Sequence, residues 1–385
     1  MNEENVRQQI ISDATYLGAA TVLSIIGVVG FLFNACVIFI MIRDPQLWTP
    51  QNVIIFNLAS SDFAVSILGN PVTLAAAITK GWIFGQTLCI LYGFFNALLG
   101  IASITTLSVL AYDRYLMIRY PFSSRRLTRE TALYAIAGIW IYAFIVTGPP
   151  LFGWNRYVKE SADISCSVDW ESGEHTYYVI YIFLFGLFIP VIVIVYSYIG
   201  LVVTVRKRAS EKILGQATKA EFRVAVMVAV MILAFLTAWL PYAVLALLIA
   251  FTGIRISPTA SMIPALCAKS SICYNPIIYI GLNTQFRSAW KRFLKIPAHP
   301  DGSMECDTVT GNSKLVAGQQ DLMISSTNVL RDCDTSPAST VCTLGDLNRN
   351  PEHSECNLEM LANIGGVHEG LDNSWHVSDV GDVPL

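Results

Sequence analysis

Ser257-Pro-Thr-Ala-Ser-Met-Ile-Pro-Ala-Leu-Cys-Ala-Lys269-Ser-Ser-Ile-Cys-Tyr-Asn275-Pro276-Ile-Ile-Tyr279 is a mostly apolar stretch of membrane-spanning length with a lysine near its middle. An ammonium in hydrocarbon is costly, so an ionisable residue at such depth marks a functional site by default. The stretch on either side of Lys269 is one of several. Apolar runs recur at residues 16–42, 52–77, 87–112, 131–151, 177–205, 224–251 and 258–281. Each is near or above the ~20 residues that cross a bilayer as a helix. The ~10-residue alternation of a membrane barrel is absent. The composition agrees: charged residues are 14% of the 385, and the mean hydropathy is +0.53. The expected fold is an all-α membrane protein, a seven-transmembrane helix bundle.

Lysine and arginine set the expected orientation. With the N-terminus outside, 16 of the 25 fall on the inner loops and just after the last span, and five fall outside. The N-terminus is therefore expected outside the cell membrane and the C-terminus in the cytoplasm. Residues 1–15 are polar, which points to the first span as an uncleaved signal anchor. The bundle is expected over residues 16–283. Residues 284–295 read as a short amphipathic helix on the membrane surface, with Phe286, Trp290, Phe293 and Leu294 near one face and Arg287, Lys291 and Arg292 around it. From residue 296 the chain holds 14 acidic and three basic residues with few aromatics. This tail is expected to be disordered.

One short signature falls in each span. They are Gly30-Phe-Leu-Phe-Asn34, Asn57-Leu-Ala-Ser-Ser-Asp62, Asp113-Arg114-Tyr115, Trp140, Pro190 with Tyr198, Phe235-Leu-Thr-Ala-Trp239-Leu-Pro241-Tyr242, and Asn275-Pro276-Ile-Ile-Tyr279. Together, in this order, they resemble the rhodopsin-like G-protein-coupled receptors over about residues 16–295. Lys269, six residues before Asn275, narrows the resemblance to the opsins.

The resemblance implies a light receptor and not an enzyme, with retinal joined to Lys269 as a protonated Schiff base. A buried amine is suited to condensing with an aldehyde, and the resulting buried charge needs a partner. Vertebrate visual pigments carry a glutamate three residues after the first disulfide cysteine. Here that place is Tyr92, which can donate a hydrogen bond but is no anion near neutral pH. Glu160, six residues before Cys166, matches the loop counterion of many invertebrate and non-visual opsins, with Asp163 and Asp169 as rivals. A loop counterion implies a bistable pigment. The family also implies a Cys89–Cys166 disulfide. The palmitoylated cysteine pair often found after the amphipathic helix is missing.

By motif position the retinal pocket includes Trp239, Tyr242, Phe183, Ala97 and Gly100, the small residues leaving room for the polyene. The resemblance implies 11-cis-retinal in the dark and all-trans after light. It also implies a switch, to which Tyr115 and Pro276 belong: Asp113, Arg114 and Glu221 locking the inner ends of spans three and six, Tyr198 and Tyr279 supporting Arg114 once it opens, and Asp62, Asn34, Ser103 and Asn275 linking pocket to switch. The implied partners are membrane lipid, a heterotrimeric G protein of the Gi/Go/transducin group, and a receptor kinase and arrestin at the 15 serines and threonines of the tail. No nucleic acid is expected. The short third inner loop and Asn283-Thr-Gln-Phe-Arg287 look like ciliary-type opsins, of a non-visual or invertebrate kind. A retinal photoisomerase and a chemical-ligand receptor of the same fold are the rival readings.

Overall fold

The structure is a computed structural model that describes residues 11–120, 127–172, 176–210 and 216–294. The expectations for the first ten residues and for the tail after 294 lie outside the described residues. Seven long helices form the bundle: α1 (Asp13–Arg43), α2 (Pro50–Ile78), α3 (Gly85–Arg119), α4 (Arg129–Thr147), α5 (Thr176–Ser210), α6 (Gln216–Thr252) and α7 (Pro258–Leu282). An eighth, α8 (Thr284–Phe293), follows at once. Between α4 and α5 lies a two-stranded antiparallel hairpin, β1 (Tyr157–Lys159) and β2 (Cys166–Val168).

Local chemistry sets the starts. Ser12, Thr49, Thr128, Ser257 and Asn283 cap α1, α2, α4, α7 and α8, each side-chain oxygen accepting from a backbone N–H of the first turn. Pro50 and Pro258 sit in the first turns of α2 and α7, where a missing N–H costs nothing. The apolar run ending at residue 151 overshoots its helix. Helix α4 stops at Thr147, because Gly148-Pro149-Pro150 turns into a short 3-10 turn.

Two features had no counterpart in the apolar runs. Helices α2 and α5 each carry a π turn, at Val65–Gly69 and Leu184–Phe188. Each turn ends two residues before a proline, Pro71 and Pro190. A proline in mid-helix loses an N–H and its ring presses on the carbonyl four residues back. Those carbonyls belong to Ile67 and Gly186, inside the two π turns. The widened turn gives the ring room without breaking the helix.

Helices α1 to α6 are each long and apolar enough to cross a membrane. Helix α7 has 25 residues, about 37 Å at 1.5 Å per residue, so it has the length. Its composition is more polar, because Lys269, Ser270, Ser271 and Asn275 fall within it. The bundle is turned inside out relative to a soluble protein. Leu17, Leu133, Ile192, Leu233 and Ile263 face outward, while Asn34, Thr106 and Asn275 are sealed inside. Buried side chains pair across helices: Trp140 Nε1 donates to Asn57 Oδ1 at 2.9 Å, and Asn57 Nδ2 to Thr106 Oγ1 at 3.1 Å, tying α4, α2 and α3. Helix α8 buries Phe286 and Ala289, sets Phe293 edge-on to Phe39 of α1, and leaves its basic residues exposed.

Candidate functional site

The hairpin is held over the bundle by two anchors. A disulfide joins Cys166 of β2 to Cys89 at the start of α3, with the Cα atoms 5.5 Å apart. Tyr157 of β1 packs on Gly93, where an added Cβ would lie 2.7 Å from the ring. The Tyr157 hydroxyl donates to the Thr147 carbonyl at 2.7 Å, and burial pushes its pKa up. The chain reverses after β1 through Asp163, at φ 57°, whose N–H donates to the Glu160 carbonyl at 2.8 Å. Glu160 N–H donates in turn to Ser165 O at 2.9 Å. These constraints aim Glu160 inward.

Beneath it lies a cavity with mainly apolar walls between α2, α3, α5, α6 and α7. Tyr92, Ala97, Gly100, Glu160, Phe183, Trp239, Tyr242 and Lys269 all line it. The residues read from the motifs as a pocket are thus brought together by the fold.

Their bonding adds three details that the motifs left open. Lys269 Nζ donates to the Tyr92 hydroxyl at 2.6 Å, since an ammonium has no lone pair. Gly100 was expected to leave room for a polyene. The space a Cβ would take is met by the Trp239 ring at 3.1 Å, so this glycine makes room for the tryptophan. Glu160 does not sit on the amine. Its Oε1 accepts from the Tyr242 hydroxyl at 2.7 Å and its Oε2 from Ser165 Oγ. Trp170 Nε1 reaches the Tyr242 oxygen at 3.3 Å and Ser167 Oγ at 3.2 Å.

The two rival acids are engaged elsewhere. Asp169 pairs with Arg156 at 2.9 Å, and Asp163 with Lys159 at 3.1 Å. Ser165, Ser167, Trp170 and Ser271 also line the cavity and were not anticipated. For the serines a signal existed. Residues two apart on a strand share a face, and Ser165 and Ser167 flank the disulfide cysteine. Ser271, two residues past Lys269, accepts from Trp239 Nε1 at 3.1 Å.

At the opposite end of the bundle Arg114 is buried between two carboxylates. Its NH2 meets Asp113 Oδ2, its Nε meets the same oxygen at 3.1 Å, and its NH1 meets Glu221 Oε2 on α6 at 2.6 Å. Tyr115, next in the chain, packs beside Tyr196 and Gly200. The Tyr198 hydroxyl donates to Ala225 O on α6 at 2.8 Å, and the Tyr279 hydroxyl is buried without a partner. Between the two ends, Asp62 accepts from Asn275 Nδ2 at 2.9 Å and lies 3.5 Å from Ser103 Oγ. Asn34 does not bond to Asp62. Its amide donates to the backbone of Gly30 at 2.8 Å and Ile272 at 2.9 Å, pinning α1 to α7. Pro276 lies within α7, which continues through it.

Residues 33–279 match the family described as "7 transmembrane receptor (rhodopsin family)". Pinopsin of Columba livia is 34% identical over 292 residues, covering 75% of this chain and 84% of its own. Melanopsin of Phodopus sungorus is 36% identical over 295 residues, covering 72% of this chain and 62% of its own. The crystal structure of squid rhodopsin superposes with a TM-score of 0.69 at 31% identity, covering 74% of this chain and 87% of that one. Identity this even does not choose among the named opsins. A seven-helix bundle with a lysine in an aromatic cavity, matched along most of its length by pinopsin and squid rhodopsin, belongs to the rhodopsin family of seven-transmembrane receptors, and within it to the opsins.

Proposed function

We propose that this opsin holds retinal on Lys269 as a Schiff base, balances the resulting charge with Glu160, and signals light to a heterotrimeric G protein of the Gi/Go/transducin group. The observation that carries the reading is the shared cavity: the Lys269 amine and the Glu160 carboxylate line one space with Trp239, Phe183, Ala97 and Gly100, and Asp62 lines it too. A cavity with mainly apolar walls and a few convergent polar groups is the form small-molecule sites take. A primary amine at its wall fits an aldehyde, and the aromatic walls fit a polyene. Retinal, when bound, supplies that aldehyde and a polyene whose shape light changes from 11-cis to all-trans.

The chain's own residues supply the rest. Tyr92 takes a hydrogen bond from the Lys269 nitrogen, and Tyr242 and Ser165 donate to the Glu160 carboxylate. With the acid in the hairpin rather than on α3, the nitrogen keeps its balancing charge when the helices move. That favours a bistable pigment. Trp239 stacks on Phe235 at 5.7 Å and both line the cavity, so displacing Trp239 bears on α6. Helix α6 is the helix that Glu221 ties to Arg114. Its release would open the inner end to the G protein, the N-terminus lying outside and the C-terminus in the cytoplasm. A receptor kinase and arrestin would act on the serine- and threonine-rich tail.

The test is a dark-then-illuminated spectrum of the protein loaded with 11-cis-retinal, with a light-dependent G-protein assay beside it. A visible band that light converts to a second, stable visible band, reversed by light of another colour, is expected. Absence of any band favours a chemical-ligand receptor. A band without G-protein turnover favours a photoisomerase.

A further inference from the structure

Thr73 lies on α2 just past the π turn, fully buried, and is not part of the cavity wall. Its Oγ1 is 2.5 Å from the Tyr92 hydroxyl, which is itself 2.6 Å from Lys269 Nζ. The inventory of hydrogens decides which way this chain runs. An ammonium, or a nitrogen that keeps its proton once linked, donates only. Tyr92 must therefore accept from Lys269, and its own single hydrogen needs another acceptor. Among the described residues the one within reach is Thr73 Oγ1. Thr73 in turn has one hydrogen, and it points at the Gly69 carbonyl, 3.3 Å away. The chain reads Lys269 N–H to Tyr92 O, Tyr92 O–H to Thr73 Oγ1, Thr73 O–H to Gly69 O.

The π turn aims Thr73 at α3. One extra residue in a turn advances every later side chain by about 100° round the axis. Thr73 follows that insertion by four residues, so in an unbroken α-helix it would point about 100° round the axis from Tyr92.

We propose that Thr73 is a positioning residue for Lys269: by accepting the Tyr92 O–H, it keeps a tyrosine lone pair turned to the lysine nitrogen. The consequence for colour rests on the retinal reading above, but the hydrogen-bond chain belongs to the retinal-free protein.

The experiment therefore has two arms. In the retinal-free protein with isotope-labelled tyrosine, the ring C–O stretch of Tyr92 is taken as the difference between the parent and Tyr92→Phe. A hydroxyl that both donates and accepts is expected. Thr73→Val should lose the donor signature, and Thr73→Ser should keep it. In the retinal-loaded protein, Thr73→Val should move the visible band to longer wavelength, Thr73→Ser should leave it, and Thr73→Val should add nothing in the Tyr92→Phe background. A parent Tyr92 that donates to nothing overturns the proposal even if Thr73→Val does not fold. So does a Thr73→Val shift that persists without the tyrosine hydroxyl. If no variant, parent included, forms a band, the retinal reading fails while the vibrational arm still decides this one.

Discussion

Lys269 and Arg114 are both cations inside the bundle, and the fold holds them in opposite ways. Arg114 touches its balancing charges directly, Asp113 on its own helix and Glu221 on α6. Lys269 touches a neutral hydroxyl, while Glu160, which lines the same cavity, is bonded to Tyr242 and Ser165 instead. The difference suits each end to the role proposed for it. A contact pair that joins α3 to α6 holds two helices in one arrangement and is lost when they part. A carboxylate held off by its own donors, on a hairpin stapled to α3 by a disulfide, can balance a charge whose position shifts.

Lys269→Ala is expected to have the largest effect, since it removes one side of the comparison altogether. The visible band with 11-cis-retinal should vanish, measured by absorbance after reconstitution, while helix content stays at the parent level. Retention of a band would mean another amine carries the aldehyde. Next comes Glu160→Gln, which leaves Tyr242 and Ser165 in place and removes only the charge. The band should shift to the near-ultraviolet at neutral pH, because an unpaired buried cation gives up its proton. An unchanged visible band would show that Lys269 has a balancing charge other than Glu160.

At the other end Glu221→Gln should leave the spectrum alone and raise dark G-protein activation several-fold. Glu221 is partly exposed, so the pair contributes on the order of 1 kcal/mol. Unchanged dark activity would show that Asp113 alone restrains Arg114 and that α6 is held by other contacts, such as Tyr198 on Ala225.

Much of this contrast could be read from residue order. Seven apolar runs set the bundle, and the spacing of Lys269 from Asn275 put the amine at the right depth, because an unbroken helix converts spacing into position. What could not be read lies where that conversion fails. The two π turns move every later residue of α2 and α5 round its axis, and that is how Thr73 comes to face Tyr92. Hydrogen-bond direction was hidden as well. Tyr92 and Asn34 carry groups that both donate and accept, and only their neighbours decide which they do. The partners of Glu160 escaped for a third reason: Tyr242 and Ser165 are 82 and five residues away, and only the folded hairpin brings all three together.

The smallest predicted effect tests whether the hairpin serves the Lys269 end alone. Tyr157→Phe removes the hydroxyl that donates to Thr147 O and keeps the ring on Gly93. A buried carbonyl left without its donor costs about 1–2 kcal/mol, so thermal stability should fall by a few degrees. Burial raises the Tyr157 pKa in the folded protein above its value in the unfolded chain. The unfolded chain therefore loses its proton first as pH rises, so the parent protein should lose stability above about pH 10. Tyr157→Phe should flatten that part of the profile. Dark G-protein activation should not change, because no contact of Tyr157 reaches Arg114 or Glu221. A rise in dark activity would break the comparison, since it would mean that the hairpin and the α3–α6 lock are one device and not two.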